Sequence, residues 1–481
     1  MRYAEPAAED RRRLDPARVF AAGLENHHVS NTAYPIAHQS TVAPYRVTAG
    51  EQHPVITAAF ADAHDLCVYV HVPFCETRCG FCEYTVVRRD EAAQAERYVD
   101  ALVAEIALWE AAVGLRTRRV HGFDLGGGTP TWLPLEQIAR IAEAVRGVAA
   151  FEPGVCVSIE TTPRIAAREP AKIAGLPGLG FHRISMGVQV ADADLLGALG
   201  RGHDGAAEQL RAAEHIQEAG FSRFNVDLMY GFAGQSLEGW RATLEHAVRL
   251  QPDAITLYRM RYKLTRISHQ AGQVGHGQVQ ALSALATRVL GDAGFSAPTG
   301  KTTLSRIAGE DGTSSYLSRR VRDGMAYLGF GLGAQSFSHR TLSYAAGAAG
   351  KNLTPYLRRV ARGQLPLQDV YRLPRCQAMA KMCAVSFYFG AIDGAAFARC
   401  FGVELEQAYP EALAFVLERG LMRWSGRVLG LTAAGLAQLP GVIALFFAPS
   451  VQAHLIERAP GDLAPPRRLP VHAPVVGASG V

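Results

Sequence analysis

From Leu66 onward, short apolar, β-branched runs alternate six times with longer amphipathic stretches, and no other feature limits the fold as much. The runs are Leu66–Val72, His121–Leu125, Val155–Glu160, His182–Val188, Arg223–Met229 and Ala254–Tyr258. Stretches at about 91–113, 135–149, 164–175, 206–219, 236–250 and 278–293 place apolar residues at helical spacing, some with Gly114 or Gly220 behind them as a stop signal. Parallel strands in succession need crossovers of a dozen or more residues, which yields a parallel sheet or a barrel. The expected fold class is α/β. Six units suit a partial (βα)6 barrel, and an open doubly wound sheet fits the same strings.

Residues 1–65 are irregular and broken by Pro35, Pro44 and Pro54, which predicts an extended N-terminal arm. The repeating region is expected over 66–340. Residues 341–458 read as a mainly helical, winged-helix-like domain, and the prolines of 459–481 read as a disordered tail. With 48% hydrophobic and 19% charged residues, the chain has the balance of a soluble globular protein. A net charge of 49 − 44 = +5 is too small to argue for a nucleic-acid partner. The apolar stretch Gly441–Pro449 is far shorter than the ~20 residues needed to cross a bilayer. Met1–Arg13 has four arginines and no apolar core, so no membrane partner and a cytoplasmic location are expected.

Eight cysteines in so long a chain do not make a disulfide framework. Three of them, Cys75, Cys79 and Cys82, stand within eight residues directly after the first strand. Thiolates suit zinc or iron–sulfur clusters. Zinc would need a fourth ligand, for which His71 or His64 is nearby in sequence. A cluster held by three cysteines would leave one iron open. Cys67, Cys156, Cys376, Cys383 and Cys400 lack ligand spacing and read as core residues.

Other chemistry-bearing residues fall at strand ends. The second strand ends in Gly126-Gly127-Gly128-Thr129-Pro130, which lets a ligand approach the backbone closely. The third carries Glu160, suited to a ribose or an ammonium. The fourth ends in Gln189, with Arg201 one helical segment later, and the fifth places Asp227 among apolar neighbours. A buried carboxylate needs a partner, and a ligand or Arg201 is the candidate for Asp227. In barrels the site is built at the carboxyl ends of strands, where Cys75, Gly127, Glu160, Gln189 and Asp227 all fall. Arg259, Arg261 and Lys263 follow the sixth strand, where they can meet carboxylates or simply be solvated.

The CxxxCxxC spacing after Tyr69-Val-His-Val-Pro-Phe74 resembles the signature of radical S-adenosylmethionine (SAM) enzymes. The flanking residues resemble the oxygen-independent coproporphyrinogen III oxidase family, over roughly 66–340. The resemblance implies a partial barrel with a [4Fe-4S] cluster on Cys75, Cys79 and Cys82. It further implies one or two SAM molecules bound by Tyr69, Phe81, Gly127, Gly128, Thr129, Glu160, Gln189, Arg201 and Asp227. Leu328–Ser336 resembles a glycine loop that closes one side of the SAM pocket.

The chain departs from that family where the oxidases carry a fourth cysteine: here the residue is Tyr84. The heme-contact motif of the chaperone branch is also absent. That combination resembles the class C radical SAM methylases and cyclopropanases. For these the resemblance implies cleavage of SAM to a 5′-deoxyadenosyl radical and transfer of a SAM-derived carbon to an sp² carbon of a natural-product-type small molecule. The alternatives are coproporphyrinogen oxidation in porphyrin biosynthesis and non-catalytic heme chaperoning. An electron donor such as flavodoxin or ferredoxin is implied for the enzymatic readings.

Overall fold

The computed structural model describes residues 1–87 and 89–458. Six parallel strands form its centre: β1 Asp65–Val72, β2 Arg119–Gly127, β3 Ser158–Thr161, β4 Arg183–Gln189, β5 Arg223–Tyr230 and β6 Ala254–Arg259. Beyond them lie β7 Thr303–Ser305, β8 Tyr327–Phe330, β9 Gln335–Phe337, β10 Thr341–Ala345 and β11 Leu367–Arg372. The order across the sheet is β11-β10-β9-β8-β1-β2-β3-β4-β5-β6-β7, with the two-residue strand Ala150–Phe151 beside β2. A doubly wound sheet reverses its order at a switch point. Here β1 to β6 run in sequence without reversal, which settles the choice in favour of the incomplete barrel wall.

Each crossover helix is placed by its apolar stripe. Helix Leu135–Val148 buries Ile138, Ile141, Ala142 and Val145, spaced three and four apart. Helix Ala95–Val113 ends at Gly114, whose φ of 66° supplies the left-handed C-terminal turn. The third expected helix is split into Pro163–Arg168 and Pro170–Gly175, because Pro170 cannot donate to the preceding turn.

The strands have two distinct faces. Phe123, Leu125, Ile159, Ile184, Met186, Val226, Leu228 and Ile255 point outward into the helix-covered core. At the alternate positions Asp124, Ser158, Glu160, Arg183, Ser185, Asn225, Asp227 and Thr256 share the inner face. This interior is wired by hydrogen bonds. Arg183 donates to Ser158 Oγ at 3.2 Å, Asn225 to Ser185 Oγ at 2.7 Å, and Thr256 Oγ1 to Asn225 Oδ1 at 2.9 Å.

Residues 1–65, expected as an extended arm, instead carry helices Pro16–Glu25 and Gln52–Phe60. Asp15 caps the first by accepting from Ala17 N and Arg18 N. That helix packs on Leu439–Leu445 of the C-terminal region, where Gly23 lets the backbones meet: a Cβ there would lie 2.6 Å from Pro440 O. The main sheet does not stop at residue 340, since β10 and β11 continue it to Arg372. After it comes a small sheet of Ala391–Asp393, Met422–Ser425 and Val428–Leu431 with helices Gly394–Phe401 and Pro410–Glu418 against it. The proposed disordered tail, 459–481, lies outside the described residues. Among the described residues, no helix is long and apolar enough to cross a membrane.

Candidate SAM and cluster site

The cysteine loop leaves β1 at its carboxyl end and is seated by the glycine run of β2. Gly128 N donates to Val72 O and Thr129 N to Phe74 O, both at 2.7 Å. A Cβ on Gly128 would lie 2.5 Å from Phe74 O and 3.0 Å from Cys75 Sγ, and one on Gly127 2.5 Å from His71 Nδ1. Glycine is therefore required here by close approach. Gly128→Ala is expected to displace the cysteine loop, an overpacking cost of about 1–3 kcal/mol. Its check is the iron and sulfide retained after anaerobic reconstitution, which should fall well below wild type while far-ultraviolet circular dichroism is unchanged.

Cys75, Cys79 and Cys82 are half-buried free thiols within electrostatic range of one another. Burial pushes the Cys75 thiol up to about 12 and raises the other two. Cys75 Sγ also lies 3.5 Å from Thr129 Oγ1. Arg201 is the cation beside the loop: it acts on both Cys75 and Cys79 and hydrogen-bonds the latter. Metal binding turns such thiols into thiolates, so a buried cation next to them favours the bound state.

The donor set fits an iron–sulfur cluster better than zinc. A structural zinc closes its shell with four protein ligands, whereas a cluster takes each of three thiolates on a separate iron. Neither suggested fourth ligand is available. His64 precedes β1, so roughly 20–25 Å of strand separates it from the loop. His71 donates from Nε2 to Thr85 O at 2.7 Å, its Nδ1 faces Gly127, and burial lowers it to about 4.

The inner face of the barrel leads up to this loop. Glu160 accepts from Gly127 N at 3.1 Å, and burial with Asp227 nearby pushes it up to about 8. Tyr69, on the same face of β1, lies alongside Tyr316 at 5.7 Å between ring centres. A Cβ on Gly126 would lie 2.6 Å from Glu160 Oε1 and 3.1 Å from Tyr69 Oη. Gln189 ends β4 at φ 69°, a conformation that costs a non-glycine residue energy and gathers at functional sites. Phe81 sits on Phe232 at 6.0 Å.

Arg201 does not partner Asp227. It pairs with the buried Asp204, Nε at 2.7 Å and Nη2 at 2.6 Å. Asp227 accepts instead from Ser185 Oγ at 2.7 Å and Asn225 Nδ2 at 2.8 Å. The sequence reading also passed over Asp124, which accepts from Ser314 at 2.7 Å and is raised by burial to about 7. Its signal was the single charge in the run Phe123-Asp124-Leu125.

Tyr84 is 56% exposed, yet Glu160, Arg261 and Tyr388 are its electrostatic neighbours. Arg261 is held by Glu83 and by Asn31 Oδ1 at 3.4 Å. The glycine loop after β8 is fixed from below: Gly331 N donates to Glu105 Oε2 at 2.7 Å and Leu332 N to Tyr98 Oη at 3.1 Å.

A family model for the radical SAM superfamily matches residues 69–247, the segment that supplies this cysteine loop and the polar ends of β2 to β5. The chain carries a radical SAM domain. The cofactors of such a domain are a [4Fe-4S] cluster and SAM. The chain is 33% identical over 229 residues to the oxygen-independent coproporphyrinogen III oxidase of Escherichia coli, covering 47% of this chain and 48% of that one. It is 30% identical over 197 residues to the heme chaperone HemW of Haemophilus influenzae, covering 40% and 51%. The radical SAM match to these two relatives therefore spans about half of their length. The oxygen-independent coproporphyrinogen III oxidase of Cereibacter sphaeroides is 27% identical over 325 residues, 64% of this chain and 69% of that one. The solved structure of the E. coli oxidase superposes on 82% of this chain and 93% of its own with a TM-score of 0.68 at 24% identity, a likeness of fold.

Proposed function

We propose that this radical SAM protein is an oxidoreductase resembling the coproporphyrinogen oxidases, removing hydrogen from a small-molecule substrate that bears carboxylates. When bound, the cluster and SAM supply a 5′-deoxyadenosyl radical. Cys75, Cys79 and Cys82 would hold the cluster, with the Arg201–Asp204 pair beside them. Gly127, Gly128 and Thr129 offer close backbone approach for SAM, and Glu160 and Asp227 offer carboxyls for its ribose or ammonium. Tyr69, Phe81 and Gln189 complete that wall. The observation that carries the reading is the meeting of these groups at the carboxyl ends of consecutive strands. The names of the relatives favour oxidase chemistry over carbon transfer. In an oxidase reaction one hydrogen atom leaves a propionate side chain for the 5′-deoxyadenosyl radical, and the substrate radical then gives one electron to an external one-electron acceptor as carbon dioxide leaves and a vinyl group forms. An electron donor such as flavodoxin or ferredoxin and a cytoplasmic setting belong to the same proposal.

One observation favours the second reading, class C carbon transfer with two SAM molecules: Tyr84 stands where the oxidases have a cysteine. A single experiment separates the two. The anaerobically reconstituted protein is incubated with coproporphyrinogen III and SAM deuterated on its methyl group. Carbon dioxide release with unlabelled 5′-deoxyadenosine is the expected result. Deuterium in 5′-deoxyadenosine would favour carbon transfer, and tight heme binding without any SAM cleavage would favour a chaperone.

A further inference from the structure

Two segments clamp the cysteine loop. From the loop after β6, Arg266 N donates to Gly80 O at 3.0 Å. From the segment after β10, Lys351 Nζ donates to Glu83 O at 3.1 Å and to Tyr84 O at 2.9 Å. Gly80 N is held in turn by Leu199 O at 2.9 Å.

Three cations gather at this clamp. Arg266 is exposed and lays Nη1 against Arg78 O at 3.4 Å. Arg78, between Cys75 and Cys79, acts electrostatically on Lys351, and both act on the Cys82 thiol. The neighbouring carboxylates are already engaged, Glu76 with Arg164 at 3.3 Å and Glu83 with Arg261. Among the described residues, no carboxylate forms an ion pair with Arg78, Arg266 or Lys351. The positive charge beside the three thiols is therefore left uncompensated by the chain.

An apolar side chain accompanies these cations. Leu264, two residues before Arg266, is 52% exposed and held at φ 62°, and Lys351 is held at φ 50°. Such backbone conformations cost a residue with a Cβ energy and gather at functional positions. An exposed leucine framed by unpaired cations has the make-up of a protein-binding patch with an apolar centre and a charged rim, and its charge selects an acidic partner. The cations come from three separate segments, which suits a protein face better than a small anion. The radical SAM reading supplies a reason for a protein to dock here. Each cleavage consumes one electron, as SAM and the electron become methionine and the 5′-deoxyadenosyl radical, and a carrier must deliver that electron close to the thiols.

We propose that Arg78, Leu264, Arg266 and Lys351 form the docking surface for an acidic protein that carries one electron. The carrier gives that electron up at Cys75, Cys79 and Cys82 and leaves oxidised by one electron. The inference rests on the radical SAM reading of this site and names the face that its partner uses.

The test uses the full, anaerobically reconstituted chain with two acidic carriers, a flavodoxin and a ferredoxin. At least one oxidised carrier should bind with a Kd of about 1–100 μM at low salt. Its affinity should fall roughly tenfold between about 50 and about 300 mM sodium chloride. Amide hydrogen exchange should slow over residues 261–267 in the complex. Arg266→Glu alters a side chain whose guanidinium meets only a backbone carbonyl, so cleavage driven by dithionite should match wild type. Carrier affinity and carrier-driven 5′-deoxyadenosine formation should both fall roughly tenfold. Leu264→Ser should weaken the carrier about threefold or more while leaving its salt dependence in place. Binding of neither carrier to wild type, protection confined to another face, or unchanged carrier affinity in Arg266→Glu would each overturn the proposal. Failure of the radical SAM reading looks different: wild-type protein then cleaves SAM with neither dithionite nor carrier, and the binding measurements, which need no turnover, still decide the docking surface.

Discussion

Cys75→Ala is expected to abolish SAM cleavage, lowering 5′-deoxyadenosine formation by at least about 10³-fold, because in the proposed function three cysteines would be the whole protein ligand set for the cluster. Cys75 has Gly128 behind it and Thr129 Oγ1 3.5 Å from its sulfur. The measurement is 5′-deoxyadenosine after incubation with dithionite, alongside iron and sulfide content. Fold stability should change little. In the unloaded protein the thiol is a half-buried neutral group, and removing a half-buried sulfur costs on the order of 1 kcal/mol. Retained cleavage in Cys75→Ala would remove the cluster from the chemistry, and wild-type preparations holding zinc in place of iron would do the same.

The second large effect concerns Glu105, 1% exposed on helix Ala95–Val113. Its carboxyl accepts from Gly331 N at 2.7 Å, Tyr356 Oη at 2.6 Å and Trp109 Nε1 at 3.3 Å. It thereby ties the glycine loop to the helix. Glu105→Ala would leave three buried donors unpaired and is expected to destabilise the fold by roughly 3–5 kcal/mol. Burial outweighs those bonds and pushes the Glu105 carboxyl from 4.5 to about 7. Between these values the folded protein holds a proton that the unfolded chain has released. The stability tied to this group is therefore complete below about pH 4.5 and lost as pH rises through about 7, on the order of 3 kcal/mol in all. Glu105→Gln should keep most of the packing and remove that slope. Urea unfolding of both proteins between pH 4.5 and 8 checks it: parallel pH profiles would show that the carboxyl does not titrate in this window. His27 and His28, depressed in the folded state, act in the opposite sense as pH falls below 6.5, so the difference between the two proteins is the informative quantity.

The barrel was readable because each strand announces itself twice, by an apolar run and by a turn or helix signal behind it. The six runs reappear as β1 to β6 with ends moved by three residues or fewer. What periodicity left open was closed by strand order, which hydrogen bonding across the sheet decides and no local pattern encodes. Polar residues at alternate positions, as in Arg183-Ile184-Ser185-Met186, were visible one strand at a time. Their convergence on one inner face depends on register between strands. The suggested pairing of Arg201 with Asp227 failed for a related reason. Asp204, three residues on, was a closer partner than any carboxylate across the barrel. The N-terminal helices escaped notice because they are short and their partners are distant in sequence: Pro16–Glu25 packs on Leu439–Leu445 and Gln52–Phe60 on β11.

The placement of Cys75, Cys79 and Cys82 on a single turn of chain has a bearing on biogenesis. Loop-closure entropy rises with the separation of the groups brought together, and these sulfurs are at most seven residues apart. The proposed ligand triad is thus synthesised while most of the polypeptide is still being translated. Closing this short loop therefore does not wait for the distant C-terminal region to dock.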